Sequence, residues 1–264
     1  MSKQKFFSNP IVFLLGLSIG LILRNPVERA IHLDASKISS HSAFNEARAR
    51  SLPVVAQVIE RGGYTVCYDG RSRNLHYVIE TITRESFQGR ANRAHHSFRE
   101  DEAIPAHIRA TLLDYRGSSY DRGHLSPAVH HKKSNALMAE SFILSNICPQ
   151  NPQFNRGYWA AFEKHVRDLT QVFDRVQVTT GPLYLPRGEQ GNRFVMYPVI
   201  GENDVAVPTH FYKVLRLEQG NEMEERAYIM PNEYIAPETP LEAFQATVQK
   251  VERLSGILFK PIKF

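Results

Sequence analysis

The chain has very little cysteine: Cys67 and Cys148 are its only two cysteines in 264 residues. Two thiols exclude both a disulfide framework and a four-cysteine zinc site. The chain also lacks internal repeats and low-complexity tracts, which excludes solenoid architectures. With 42% hydrophobic and 22% charged residues, its composition is that of a globular protein with room for one substantial domain plus an appendage.

The chain has no excess of acidic residues. It carries 32 Lys and Arg against 27 Asp and Glu, a formal net charge of +5 with a pI near 9.2. This mild excess suits a polyanionic partner but does not identify one by itself. Basic residues are frequent between positions 87 and 133, where some belong to a solvated surface and together they can form a groove that follows a phosphate backbone.

Long apolar runs are absent except near the N-terminus. Residues 10–23 carry no charge; two lysines precede this run and Arg24 follows it. A membrane-spanning helix needs about 20 apolar residues, so the run is short unless the residues before it are counted. The pattern is typical of an export signal or signal anchor, and no small-x-small cleavage site follows promptly. We predict an uncleaved N-terminal signal or anchor over residues 1–24, with a cleaved signal or a buried helix as alternatives.

Beyond this segment, residues 25–50 are polar without a sustained period and predict a tether. We expect residues 51–264 to form the folded domain. Two helices are predicted there, one from about 153 to 170 and one over 241–254, the latter opened by a capping-box pattern and stopped by Gly256. Strands are predicted at 63–69, 75–81, 176–180, 193–200, 205–217 and 226–230. Together these elements predict an α+β domain with a mixed, mainly antiparallel central sheet and flanking helices.

The segment 120–125, Tyr-Asp-Arg-Gly-His-Leu, combines groups that suit phosphodiester chemistry. His124 can accept a proton from an attacking water, because imidazole titrates near pH ~6.5. Arg122 offers a planar fork that matches phosphate oxygens. Gly123 lets the backbone approach a bulky ligand, and we expect Asp121 to fix the loop through backbone hydrogen bonds. A lone histidine is usually structural, so these neighbours are what favour a catalytic interpretation.

A second cluster has a spacing of four residues. Asn155, Trp159 and Glu163 are expected along one face of one helix. An amide oxygen at Asn155 suits Mg²⁺, which prefers oxygen ligands and retains several waters. Glu163 is placed to accept hydrogen bonds from metal-bound waters, and Trp159 is expected to pack the helix on the sheet. Asn146 precedes this cluster and is expected to orient the site through its amide.

The eleven histidines also raise the question of a zinc site. Six of them fall between His95 and His131, including two adjacent pairs. Adjacent residues in a strand point to opposite faces, and no cysteine spacing supports zinc. We therefore expect no structural zinc site.

These motifs resemble those of the DNA/RNA non-specific endonucleases of the ββα-metal class. The resemblance extends from about residue 52 to the C-terminus and is carried by several matching stretches. These are residues 97–101, 114–117, 120–125, 144–150, 180–183, 207–214 and 254–259.

The resemblance implies a ββα-metal motif and a sugar-nonspecific endonuclease that acts on DNA and RNA with Mg²⁺ or Mn²⁺. It implies that His124 is the general base, that Asn155 is the metal ligand and that Glu163 supports the hydrated ion. Arg122 and Asn146 match accessory positions, and Arg93 matches an upstream phosphate-binding arginine. It also implies a homodimer.

The N-terminus departs from the arginine-rich mitochondrial leader found in animal relatives of this family. We therefore expect a membrane-anchored or exported protein, located in a bacterial envelope or in the mitochondrial intermembrane space. A membrane-tethered nucleic-acid binder without catalysis is the alternative function, and a phosphodiesterase for small substrates is a third.

Overall fold

A seven-stranded antiparallel sheet organises the computed structural model, which describes residues 53–189 and 191–259. The strands are β1 (Gln57–Glu60), β2 (Thr65–Asp69), β3 (Asn74–Ile82), β4 (Asp121–His124), β5 (Ile147–Gln150), β6 (Arg175–Leu183), β7 (Arg187–Glu189), β8 (Asn192–Phe194), β9 (Val199–Ile200), β10 (Val205–Ala206), β11 (His210–Gln219), β12 (Glu222–Pro231) and β13 (Gln245–Ala246). The sheet has the strand order β1-β2-β3-β6-β11-β12-β13, and the two-stranded pairs β4-β5, β7-β8 and β9-β10 lie outside it. The α+β prediction with a mainly antiparallel sheet is confirmed.

The helices are short, and all but the last lie between strands in the sequence. They are α1 (Asn135–Ser141), α2 (Pro152–Phe154), α3 (Ala160–Asp168) and α4 (Val248–Ser255), with a π-helical turn, Asn155–Trp159, between α2 and α3. Single 3₁₀ turns occur at Arg84–Phe87, Arg93–His95, Ala106–Ile108, Ala128–His131, Leu144–Asn146, Leu169–Gln171 and Leu241–Phe244.

The main core lies between the central strands and the segment that carries α2 and α3. Trp159 is 1% exposed, and its ring centroid lies 5.6 Å from that of Phe211 on β11 and 6.0 Å from that of Phe162. Val78 and Val178 from β3 and β6 belong to the same buried cluster. This packing confirms the expectation that Trp159 joins the helix to the sheet, and it fixes the segment on which Asn155 and Glu163 lie.

The sequence pattern predicts one helix over 241–254, but the structure divides this segment. Leu241–Phe244 forms a 3₁₀ turn, and Gln245–Ala246 then pairs with β12 as the edge strand of the sheet. Helix α4 begins only after Thr247, whose hydroxyl accepts a hydrogen bond from the Lys250 N–H. Gly256 ends it with φ of 75°, as predicted. Pairing with the sheet edge, which no local pattern reveals, outweighs helix propensity here.

The strand predicted over 193–200 is also divided, into β8 and β9 with an exposed stretch between them. The strand predicted over 205–217 is likewise interrupted between β10 and β11. Within the described part of the chain, no helix is both long and apolar enough to span a bilayer. The predicted anchor over 1–24 and tether over 25–50 lie outside the described residues.

Candidate active site

The histidine segment forms strand β4, which pairs with β5 so that Gly123 lies opposite Cys148 and His124 opposite Ile147. Gly123 is buried, and a Cβ atom there would collide with the side chain of Gln150. Glycine at 123 is therefore favoured because the Gln150 side chain occupies the space where a Cβ atom would lie. The pairing holds His124 at the end of a short two-stranded antiparallel sheet.

The metal-ligand candidate, Asn155, lies shortly after the end of strand β5. Asn151 caps α2, because its side-chain oxygen accepts hydrogen bonds from the N–H groups of Gln153 and Phe154. The following π turn, Asn155–Trp159, contains Gly157 with non-helical φ and ψ of −101° and −105°. Turns of this type hold one extra residue and often occur at functional sites.

The π turn changes which side chains share a face. In a regular α-helix, successive residues are about 100° apart, so Asn155 and Glu163 differ by about 80° in direction. One extra residue in the turn reduces this difference to about 20° and places Trp159 to one side of both, instead of between them. Consistent with this, Asn155 and Glu163 line the same cleft, whereas Trp159 points into the core. The expectation that all three share one face is therefore wrong for Trp159.

A cleft of about 660 Å³ brings the two motifs together. Five of the six residues assigned to the site from sequence line it: His124, Arg122, Arg93, Asn155 and Glu163. Lys132, Arg156 and Tyr120 line it as well. The cleft is therefore bordered by cations and contains a histidine, a carboxylate and an amide.

Asp121 organises the mouth of the cleft. Its Oδ2 accepts a hydrogen bond from Asn155 Nδ2 at 2.8 Å and from Arg156 Nε at 2.7 Å, and its Oδ1 accepts from Arg156 Nη2. Burial by itself raises the pKa of Asp121, but the hydrogen bonds from Arg156 and Asn155 hold it below the usual value. Asp121 thus acts through side chains rather than through the backbone bonds expected from sequence. Because Nδ2 of Asn155 is committed to Asp121, Oδ1 is its available metal-ligand atom.

His124 is held by aromatic packing. Its ring centroid lies 5.3 Å from that of Phe98 and 4.9 Å from that of Phe142, the latter edge-to-face. Its Nε2 is buried without a hydrogen-bond partner among the described residues, so Nδ1 is the ring nitrogen that a water in the cleft can reach. Burial, assisted by the charge of Arg93, lowers the pKa of His124 to about 3. The imidazole is therefore neutral and able to accept a proton at physiological pH.

The Glu163 carboxylate is influenced by the charge of a buried cation, Lys213. Lys213 on β11 is fully buried; its Nζ donates to Thr180 Oγ1 at 2.8 Å and lies 4.6 Å from the centroid of the Trp159 ring. Burial raises the pKa of Glu163, although the charge of Lys213 opposes this shift. A desolvated carboxylate beside an amide oxygen is a donor set that fits a hard divalent cation, which would lower that pKa again.

Asn146 is the one candidate that does not reach the cleft. It is fully buried; its Nδ2 donates to the carbonyl oxygens of Ser126 and Ser141 at 2.9 Å, and its Oδ1 accepts from the Ser126 N–H at 2.9 Å. It therefore fixes the backbone that follows His124 and contributes to the site without contacting the cleft.

Sequence reasoning missed Lys213 and Glu80 as parts of this region. Both are buried charged residues within otherwise apolar strands, and that contrast was the available signal. Nor did it foresee the arrangement of His130 and His131, which lie in a 3₁₀ turn and both approach the Glu80 carboxylate. Among the described residues, no group of three or more His, Cys, Asp or Glu is arranged to hold a metal ion.

The amino-acid sequence is similar to those of known nucleases. A sequence model of the DNA/RNA non-specific endonuclease family matches residues 44–262. Mitochondrial endonuclease G of Bos taurus is 47% identical over 212 residues, which cover 80% of this chain and 71% of that protein. Nuclease C1 of Cunninghamella echinulata var. echinulata is 42% identical over 206 residues, covering 76% and 81% respectively.

A solved structure is similar as well. The crystal structure of the EndoG/EndoGI complex matches with a TM-score of 0.76 at 43% identity, covering 79% of this chain and 87% of that one. The shared fold, the extent of the family match and the level of identity agree with the resemblance seen in the motifs. The chain is an endonuclease and belongs to the DNA/RNA non-specific endonuclease family.

Proposed function

We propose that this protein is a metal-dependent, sugar-nonspecific endonuclease that hydrolyses phosphodiester bonds of DNA and RNA. The observation that carries the proposal is the single cleft lined by His124, Asn155, Glu163, Arg122 and Arg93. It contains a base for water, oxygen donors for a hard cation and guanidinium groups for phosphate.

In this mechanism His124 removes a proton from water through Nδ1. Placed proton transfer of this kind is typically worth about 10² to 10⁴ in rate. The rings of Phe98 and Phe142 keep the imidazole in one orientation, which is needed for a near-attack geometry. Arg122, whose guanidinium carbon lies 4.6 Å from the centroid of the Phe98 ring, and Arg93 bind the phosphate oxygens and lower the repulsion met by the incoming nucleophile.

Asn155 Oδ1 would be the direct ligand of a divalent metal, Mg²⁺ or Mn²⁺, and Glu163 would accept hydrogen bonds from its water ligands. When bound, such an ion neutralises charge on the phosphate and on the leaving oxygen. Asp121 keeps the Asn155 amide turned with its oxygen toward the cleft, and Lys213 compensates the buried charge of Glu163. Because His124 supplies the base, this arrangement does not require a second metal to generate hydroxide.

The test is cleavage of plasmid DNA and of RNA by the purified protein in Mg²⁺, compared with EDTA. His124→Ala and Asn155→Ala should each reduce the rate by at least about 100-fold while the circular dichroism spectrum is retained. Lys164→Ala is a matched control, because Lys164 lies on α3 but pairs with Asp168 on an exposed face. Folded protein that leaves both substrates intact in Mg²⁺ would contradict the proposal, and binding without cleavage would favour the non-catalytic alternative.

We also propose that the protein is a homodimer. Support comes from an exposed apolar stretch around β8 and β9, where Phe194, Val195, Met196, Tyr197 and Val199 are each 37–54% exposed. Contiguous exposed apolar surface marks interaction sites. Light scattering should give twice the chain mass, and Met196→Glu should reduce it; a monomeric wild type would contradict this.

For location, we propose that residues 1–24 direct the chain to or across a membrane, in a bacterial envelope or the mitochondrial intermembrane space. The relatives from Bos taurus and Homo sapiens are named as mitochondrial proteins, which supports a mitochondrial location. A fluorescent reporter fused to residues 1–50 should be found in the membrane fraction or in the compartment across the membrane; a reporter found only in the soluble cytoplasm would contradict this.

A further inference from the structure

Strand β3 of the central sheet carries a buried carboxylate, that of Glu80. Glu80 is 3% exposed and does not line the cleft. A carboxylate in such a position is costly unless hydrogen bonds and opposite charges compensate it. The mechanism proposed above makes no use of Glu80, so its retention in the core requires another explanation.

The contacts of Glu80 lead to the segment that follows His124. Its Oε2 accepts a hydrogen bond from Ser126 Oγ at 2.7 Å, and its Oε1 accepts one from His130 Nδ1 at 3.0 Å. The single hydroxyl proton of Ser126 is thereby used, so the 2.7 Å contact between Ser126 Oγ and His131 Nε2 must be donated by His131. The bonds to Ser126 and His130 define the network: one carboxylate holds both ends of residues 126–130.

Every polar group of Ser126 is consequently fixed. Asn146 binds both its N–H and its carbonyl oxygen, and Glu80 binds its hydroxyl. Although burial by itself raises the pKa of Glu80, the neighbouring His130 and His131 hold it below its usual value, so Glu80 is ionised and accepts hydrogen bonds only.

His124 depends on this anchor because aromatic packing orients its ring but no hydrogen bond to Nε2 from the described residues fixes its position. The imidazole packs between Phe98 and Phe142, and its Nε2 has no hydrogen-bond partner in the part of the chain that the structure describes. Packing limits the tilt of the ring, but the depth of the ring in the cleft is set by the position of the His124 backbone. That depth depends on the end of β4 and on Ser126, two residues further on.

We propose that Glu80 is a positioning residue for the general base, acting through Ser126 to set the depth of His124 in the cleft. This inference rests on the role proposed for His124. It assigns Glu80 a function in catalysis in addition to its contribution to the fold, and it treats Glu80 and Ser126 as one unit.

The test compares Ser126→Ala, Glu80→Gln and the double variant with the wild type. Displacing a catalytic group by about 1 Å can reduce a rate by about 100-fold, so each single variant should lower kcat between about tenfold and 100-fold with KM within about twofold. Because the two residues act as one unit, the double variant should be no slower than the slower single variant. Val251→Ala, in a separate core cluster on α4, controls for loss of stability alone and should keep kcat.

A second readout is independent of cleavage. In ¹H–¹³C spectra of histidine-labelled protein, the Cε1–H signal of His124 is identified by its absence in His124→Ala. It should shift or broaden in Ser126→Ala and Glu80→Gln and stay in place in Val251→Ala. The inference is overturned if the folded variants keep kcat within about twofold and leave this signal unchanged, or if neither variant folds, since the network would then act on the fold as a whole. If instead the wild type does not cleave, or His124→Ala cleaves equally well, the proposed function fails, and the spectra still report on the link between Glu80 and His124.

Discussion

Replacing Asp121 with asparagine should weaken metal binding without removing a metal ligand. In the structure, Asp121 Oδ2 accepts a 2.8 Å hydrogen bond from Asn155 Nδ2, which leaves Asn155 Oδ1 available in the cleft. Asparagine at 121 presents an amide nitrogen as well as an oxygen, so it can bind Asn155 in either orientation. In one of these orientations Asn155 Oδ1 is used as an acceptor and is lost to the metal.

The size of the effect follows from the two bonds that Asp121 makes. Arg156 is 73% exposed, so solvent screening leaves its ion pair with Asp121 only a small contribution. The hydrogen bond from Asn155 joins a mostly buried carboxylate, and bonds to charged groups contribute about 1.5–3 kcal/mol. Loss of the second bond corresponds to about a 10- to 100-fold weaker apparent metal affinity, the range typical of residues that orient a ligand.

The assay is the Mg²⁺ concentration at half-maximal cleavage rate, measured for wild type, Asp121→Asn and Arg156→Ala. Arg156→Ala is the matched control, because it removes the exposed ion pair and leaves the bond from Asn155 to Asp121. Asp121→Asn should raise the half-saturating Mg²⁺ concentration by about tenfold or more, and Arg156→Ala by less than about fivefold. Equal shifts for the two variants, or a shift below twofold for Asp121→Asn, would refute the reasoning.

Three further outcomes are expected. The folded pKa of His124, about 3, is below its unfolded value, so between these two pH values the unfolded chain binds a proton that the folded chain does not. The free energy of unfolding should therefore fall as pH decreases from about 6.5 to 3, and it should fall more steeply in wild type than in His124→Ala. Parallel pH dependences of the unfolding free energy in the two proteins would contradict this. Lys213→Met should destabilise the fold by about 3–5 kcal/mol in urea titrations, since it leaves buried acidic groups without their cation, and a loss below about 1 kcal/mol would show that the charge is dispensable. Gly123→Ala should cost about 1–3 kcal/mol or more and abolish cleavage, because its Cβ displaces Gln150 and the strand that carries His124; unchanged melting and activity would argue against this packing.

Much of this site could be predicted because its chemistry is concentrated in two short segments. Local patterns also identified the strands that became β2, β3 and β6, where branched and aromatic residues are frequent between turn residues. The roles of His124, Asn155 and Glu163 remain predictions, but the fold does bring all three side chains to one cleft.

What could not be predicted depends on contacts between distant segments. The π turn shows no clear signal in sequence, yet it decides that Asn155 and Glu163 face the cleft while Trp159 enters the core. A conflict was nevertheless visible, since a large apolar residue and two polar ones were assigned to the same face. Likewise, the pairing of Gln245–Ala246 with β12 overrides a local helix pattern.

Anomalous diffraction from crystals soaked in Mn²⁺ would test directly whether His124 and a cation held by Asn155 act within one cleft. One peak is expected in the cleft at about 2.1 Å from Asn155 Oδ1, with water between the ion and Glu163 and with the His124 imidazole facing the ion but not bound to it. An ion ligated by His124 itself, or a cleft without any peak at saturating Mn²⁺, would contradict the mechanism.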